Sequence, residues 1–61
     1  MALKDQMIRF RAKHNLSQDA LASKAGVSKQ TIYMIETGQQ NPSRLTEQKI
    51  LLAMEEGENE N

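Results

Sequence analysis

The chain has no cysteine and a single histidine, His14, in 61 residues, and this leaves few ways to hold a fold together. A domain of this size buries only about 60% of the surface that its unfolded chain exposes, so small scaffolds usually lean on a disulfide, a metal or a partner. Disulfides and thiolate metal sites are excluded, and one imidazole cannot make a zinc site of ordinary ligand number. Close helix packing or a second subunit remains. Strands are poorly supplied: Val27 and Tyr33 stand alone among many Ala, Leu, Lys, Gln and Glu, a helix-forming mixture. No metal and no cofactor is expected. The residues also offer no nucleophile–base pair or glycine-rich phosphate loop, so no catalytic site is expected. The longest apolar run, Ile50 to Met54, is far short of the ~20 residues of a membrane span. At the start, Met1-Ala2-Leu3 runs straight into Lys4 and Asp5, which is not the pattern of a signal peptide.

Punctuation divides the chain into four helical segments. Leu3, Met7, Phe10 and His14 recur at 4-3-4 spacing, one stripe of a helix from about Ala2 to His14. His14 then stands near the negative end of that helix dipole. After Asn15 and Leu16, Ser17 is the N-cap of a second helix, Gln18 to Ala25, with Leu21, Ala22 and Ala25 inward. Gly26 ends it. Ser28 caps a third helix, Lys29 to Glu36, with Ile32 and Ile35 inward. Gly38 and Asn41-Pro42 mark a loop. A fourth helix begins near Ser43 and runs to about Glu56, with Leu45, Ile50, Leu51 and Met54 apolar. These residues make one domain, 1–56, and the polar acidic segment 57–61 is expected to be disordered.

The third segment is the informative one. Burying Ile32 and Ile35, three apart, turns Lys29, Gln30, Tyr33 and Met34 outward. Lysine reads guanine, glutamine pairs with adenine, and an apolar side chain meets the thymine methyl. Net charge is zero overall but uneven. Residues 1–44 hold seven cations against three anions, +4, and residues 45–61 hold one against five, −4. Such asymmetry predicts a basic working surface and an acidic tail.

The run Leu16-Ser17-Gln18 … Leu21-Ala22 … Gly26-Val27-Ser28 … Thr31-Ile32 … Ile35-Glu36-Thr37-Gly38 … Asn41-Pro42-Ser43 resembles the helix-turn-helix of the phage repressor/Cro family, also called the XRE family. The resemblance covers about residues 3–54. It implies an all-α, lambda repressor-like bundle of four or five short helices, the second and third forming the helix-turn-helix. It further implies a sequence-specific regulator of transcription, most simply a repressor, that binds double-stranded DNA at a pseudo-palindromic operator. Such a protein works in the cytoplasm on the nucleoid, encoded by a prokaryote or a phage. Residue by residue, Ser28, Lys29, Gln30 and Met34 match base-reading positions. Gln18, Thr31 and Tyr33 match backbone-contacting ones, and Gln39, Gln40, Asn41 and Arg44 lie where the following loop meets phosphates. Arg11 and Glu36 match a structural ion pair. Ala22 is small where the two helices cross, and Gly26 occupies a turn position suited to positive φ. The rival reading is a protein-interaction module, such as an antitoxin or a polymerase-binding adaptor.

Family members often dimerise through a fifth helix, for which Gly57-Glu58-Asn59-Glu60-Asn61 is too short and polar. The fourth helix instead has apolar groups to spare. With Ile50 and Met54 inward, Leu52 points away and Leu51 sits at the edge, because successive residues turn 100°. Leu45, Leu51 and Leu52 are therefore expected to form the interface of a weak homodimer.

Overall fold

The computed structural model describes residues 2–59 as four helices: α1 (Leu3–His14), α2 (Gln18–Ala25), α3 (Lys29–Glu36) and α4 (Arg44–Asn59). No strand occurs among these residues.

Local chemistry sets most of the boundaries. Ser17, Ser28 and Ser43 each lie just before a helix, and each hydroxyl accepts the backbone N–H three residues on, from Ala20, Thr31 and Thr46 at 3.0, 3.1 and 3.2 Å. Each satisfies one donor that a helix start leaves without a partner. The ends are equally alike. Asn15, Gly26 and Gly38 all adopt left-handed backbone conformations. After each, the next residue's N–H reaches back to a carbonyl five residues earlier: Leu16 to Arg11, Val27 to Ala22, Gln39 to Met34. This closing motif needs positive φ at its pivot. Asparagine tolerates that conformation better than most residues, and Gly26 at φ 74° adopts it without steric cost.

The core collects one side from every helix: Met7 and Phe10; Leu21, Ala22 and Ala25; Ile32 and Ile35; Ile50, Ala53 and Met54. Leu3, Leu16 and Val27 pack around it. Met7, Leu21, Ile32 and Ile50 are fully buried, each worth roughly 1.5–3 kcal/mol. Helix α2 packs most extensively on α3, and α1 touches both α3 and α4. The residues expected to face inward on α2 and α3 all do so.

The end of α4 departs from the sequence reading. The helix does not stop near Glu56 but continues through Gly57 to Asn59, so the expected disorder is corrected for residues 57–59. Glu60 and Asn61 lie outside the described residues. The cause is tertiary. Gly57 is buried, and a Cβ placed there would lie 2.5 Å from Phe10 Cζ. The bare backbone lets the last turns of α4 settle on the Phe10 ring, and that contact outweighs glycine's low helix propensity of about 1 kcal/mol. Glu58 then lands within reach of α1.

Candidate nucleic-acid interface

Helix α3 is anchored by its buried face and displays the other. Ile32 and Ile35 are buried, while Ser28, Lys29, Gln30 and Tyr33 are exposed. Tyr33 leaves 48% of its surface open, a large aromatic area for so small a domain. Two residues differ from expectation in degree. Met34 and Thr31 are half-buried, so Met34 offers only part of its side chain outward. The Ser28 hydroxyl is already engaged, accepting from Thr31 N–H and sharing a 2.8 Å hydrogen bond with Thr31 Oγ1. Any further contact by Ser28 or Thr31 must use what this capping pair leaves free.

At the other end of α3, one carboxylate joins three helices. Glu36 accepts from Arg11 Nε at 2.8 Å and from Arg11 Nη2 at 2.6 Å, a two-pronged pair. Arg11 also donates to the Leu16 carbonyl at 3.2 Å. The Glu36 side chain is only 5% exposed and that of Arg11 22%, so the expected ion pair is present and largely shielded. Burial pushes the Glu36 carboxyl up, but hydrogen bonds from Arg11 and Gln18 and the guanidinium charge outweigh it, so the group titrates below its ordinary range. The same hydrogen bond raises Arg11. Gln18, at the first position of α2, donates from Nε2 to Glu36 Oε1 at 3.0 Å. This bond was not legible in the sequence, because it joins residues 18 apart on different helices.

The loop after α3 folds back on the helix end. Thr37 Oγ1 donates to the Tyr33 carbonyl at 2.9 Å and accepts from Gln39 Nε2 at 2.9 Å. The N–H groups of Gln39 and Gln40 both donate to the Met34 carbonyl. Gln39, Gln40 and Asn41 of the loop and Arg44 at the start of α4 are all exposed.

The basic excess is less concentrated than the sequence suggested. Arg11 is committed to Glu36, and Lys13 Nζ sits 2.6 Å from Glu58 Oε2. The Lys13 bond, helped by His14, holds the Glu58 carboxyl below its ordinary range. Arg9 and Lys13 line one wall of an α1/α4 groove of about 380 Å³, with Glu55 and Glu58 opposite and Phe10, Leu51 and Met54 between. His14 does close α1, but its ring also lies against Phe10 in a tilted contact, centroids 4.4 Å apart, and Nε2 lies 3.5 Å from Glu58 Oε1. The sequence reading missed this cluster; its signal was Lys13 and His14 in one helix and an acidic segment downstream. The groove also divides the three leucines. Leu51, 38% exposed, belongs to it, whereas Leu45 at 64% and Leu52 at 56% lie one heptad apart on the far side of α4.

With α2, the turn at Gly26 and α3 in place, the chain defines a helix-turn-helix protein. It matches the helix-turn-helix family over residues 7–59 and belongs to that family, of the repressor/Cro (XRE) type. An HTH-type transcriptional regulator of Methanocaldococcus jannaschii is 51% identical to it over 41 residues, 67% of this chain and 62% of that protein. Two HTH-type transcriptional regulators of Archaeoglobus fulgidus are each 46% identical over 41 residues, covering 59% and 58% of their lengths. The match thus spans about three fifths of these relatives. No solved structure matches the chain significantly. No described helix is long and apolar enough to cross a membrane, and no described cluster of side chains could hold a metal ion.

Proposed function

We propose that the chain is a sequence-specific, double-stranded DNA-binding regulator of transcription, with α3 as the recognition helix in the major groove. The observation that carries this reading is the exposed face of α3, where Lys29, Gln30 and Tyr33 project from a helix fixed by Ile32 and Ile35. Family membership and the relatives described as HTH-type transcriptional regulators support it. Lys29 and Gln30 read base edges, with Ser28 and the outer part of Met34 beside them. Gln18, Thr31, Tyr33, Gln39, Gln40, Asn41 and Arg44 meet the sugar–phosphate backbone, which fixes register and carries no sequence information of its own. The protein needs no cofactor and carries out no catalysis. It acts as a repressor by occluding polymerase, in the cytoplasm of a prokaryote and on its nucleoid.

Two subunits bind a pseudo-palindrome with half-sites roughly 34–36 Å apart. The seat of the dimer is the Leu45/Leu52 side of α4. In an antiparallel pairing centred on Leu52, Lys49 of each copy stands opposite Glu55 of the other, and Leu51 borders the contact from the groove. A patch this small supports weak association, strengthened by DNA. The same exposed leucines favour the second reading, a protein-interaction module such as an antitoxin or polymerase-binding adaptor.

Selection of bound DNA from a random duplex pool tests the proposal. A two-fold symmetric consensus is the expected result. A pool that stays random while the protein remains folded would overturn DNA recognition and leave the interaction reading.

A further inference from the structure

We propose that Glu36 is a positioning residue for Gln18: it fixes the orientation of the Gln18 amide, so that the side chain meets a DNA phosphate already oriented. The inference rests on the DNA-binding reading and adds to it a residue that does not itself touch DNA. A glutamine amide has two ends, one donating and one accepting, and in water neither is preferred. An ionised carboxylate only accepts. The 3.0 Å contact from Gln18 to Glu36 Oε1 therefore has to be made by the amide nitrogen, which selects one of the two flips. One N–H of Nε2 is used in that contact and the second remains to donate. Arg11 keeps the device in its working state. Its two bonds to Glu36 hold the carboxylate ionised, and its charge offsets the repulsion that a nearly buried anion would exert on a phosphate. Helix α2 contributes the first two backbone N–H groups of its opening turn, which have no partner within the helix, while the third, of Ala20, is taken by the Ser17 hydroxyl.

The geometry gives the node a second task. Gln18 begins α2 and Glu36 ends α3, so one hydrogen bond ties the backbone-contacting residue to the recognition helix. The distance between phosphate contact and base-reading side chains is thereby set before DNA arrives. Less is lost in ordering these groups on binding, as for any pre-organised contact.

The test is a double-mutant cycle on affinity for the selected duplex, with Gln18→Met, Glu36→Gln and the pair, all measured where melting curves show each protein folded. Gln18→Met keeps the length and removes the donor, and should weaken binding about tenfold. Glu36→Gln no longer dictates the flip and should cost about fivefold in the parent but less than about twofold beside Gln18→Met, since contacts that share a partner are not additive. Equal losses in both backgrounds would reduce Glu36 to a structural residue and overturn the proposal. A measurement on the unsubstituted protein stands independently of folding defects. Side-chain amide NMR without DNA should show the Gln18 NH₂ group ordered and the exposed Gln30 NH₂ group mobile. Equal mobility would refute pre-orientation. Failure of the parent protein to bind any duplex would instead strike the DNA-binding reading, and the NMR result would be unaffected.

Discussion

Alanine in place of a helical glycine ordinarily stabilises, and at Gly57 it should do the reverse. The helix propensity gain is about 1 kcal/mol. Against it stands the new methyl group, 2.5 Å from Phe10 Cζ, 3.0 Å from Phe10 Cε1 and 3.1 Å from Lys24 Cε. Ordinary carbon contacts lie at about 3.5–4.0 Å, so the ring must retreat by roughly 1 Å. Lysine can swing away cheaply, but Phe10 is 5% exposed and its ring is in contact with that of His14. Overpacking of this kind costs about 1–3 kcal/mol. The balance is a net destabilisation of about 1 kcal/mol, or roughly 4–8 °C in melting temperature for a domain of this size. Urea and thermal unfolding followed by circular dichroism would measure it. The informative control is Phe10→Leu. The smaller side chain lowers stability by itself, but in its presence Gly57→Ala should become stabilising. If Gly57→Ala stabilises the parent protein, α4 does not rest on Phe10 as described.

Acid should expose the Glu36 node. Because its carboxyl is lowered in the folded state, its contribution is fully present above the unfolded value of about 4.3 and is lost as pH falls through the lower folded value; in that window, Glu36→Gln should give a flatter stability–pH curve than the parent, and coincident slopes would show that the pair adds nothing. Lys29→Ala should weaken DNA binding and flatten the dependence of log affinity on log salt by about 0.9 per half-site if Lys29 meets a phosphate, or relax one base pair by about 1–3 kcal/mol if it meets guanine; no change in either removes Lys29 from the interface. Leu52→Glu should leave a folded monomer that no longer occupies both half-sites, as read by sedimentation and a band-shift on the palindrome; normal dimerisation would move the interface elsewhere.

The sequence carried the start and end of α2 and α3 because those boundaries are local. A serine three residues before the N–H it caps, and a glycine or asparagine free to take positive φ, can be read without knowing what packs where. The exposed face of α3 followed in the same way from Ile32 and Ile35. The end of α4 did not, since Gly57 and Glu58 look like a helix stop until Phe10, Lys13 and His14 are brought against them from 45 or so residues away. Within the candidate site, Lys29, Gln30 and Tyr33 needed only helical periodicity. The half-burial of Met34 and the tie between Gln18 and Glu36 needed the relative placement of helices, which no window along the chain contains.

Helices α2 and α3 have eight residues each. In water, helices shorter than about 12–15 residues are marginal even with favourable composition. Their caps lower the cost of forming them but cannot sustain them alone, and both draw their order from the one core they share with α1 and α4. Helix α3 therefore has no stable life apart from the whole domain: it cannot peel off, melt and re-form on a different surface while the remainder stays intact. Its backbone amides should exchange with solvent mainly through global opening. On the proposed DNA-binding reading, adjustment to an imperfect binding sequence then falls to exposed side chains and to residues 37–43 between α3 and α4. Where these cannot accommodate a mismatch, the domain should let go of the site and keep its shape.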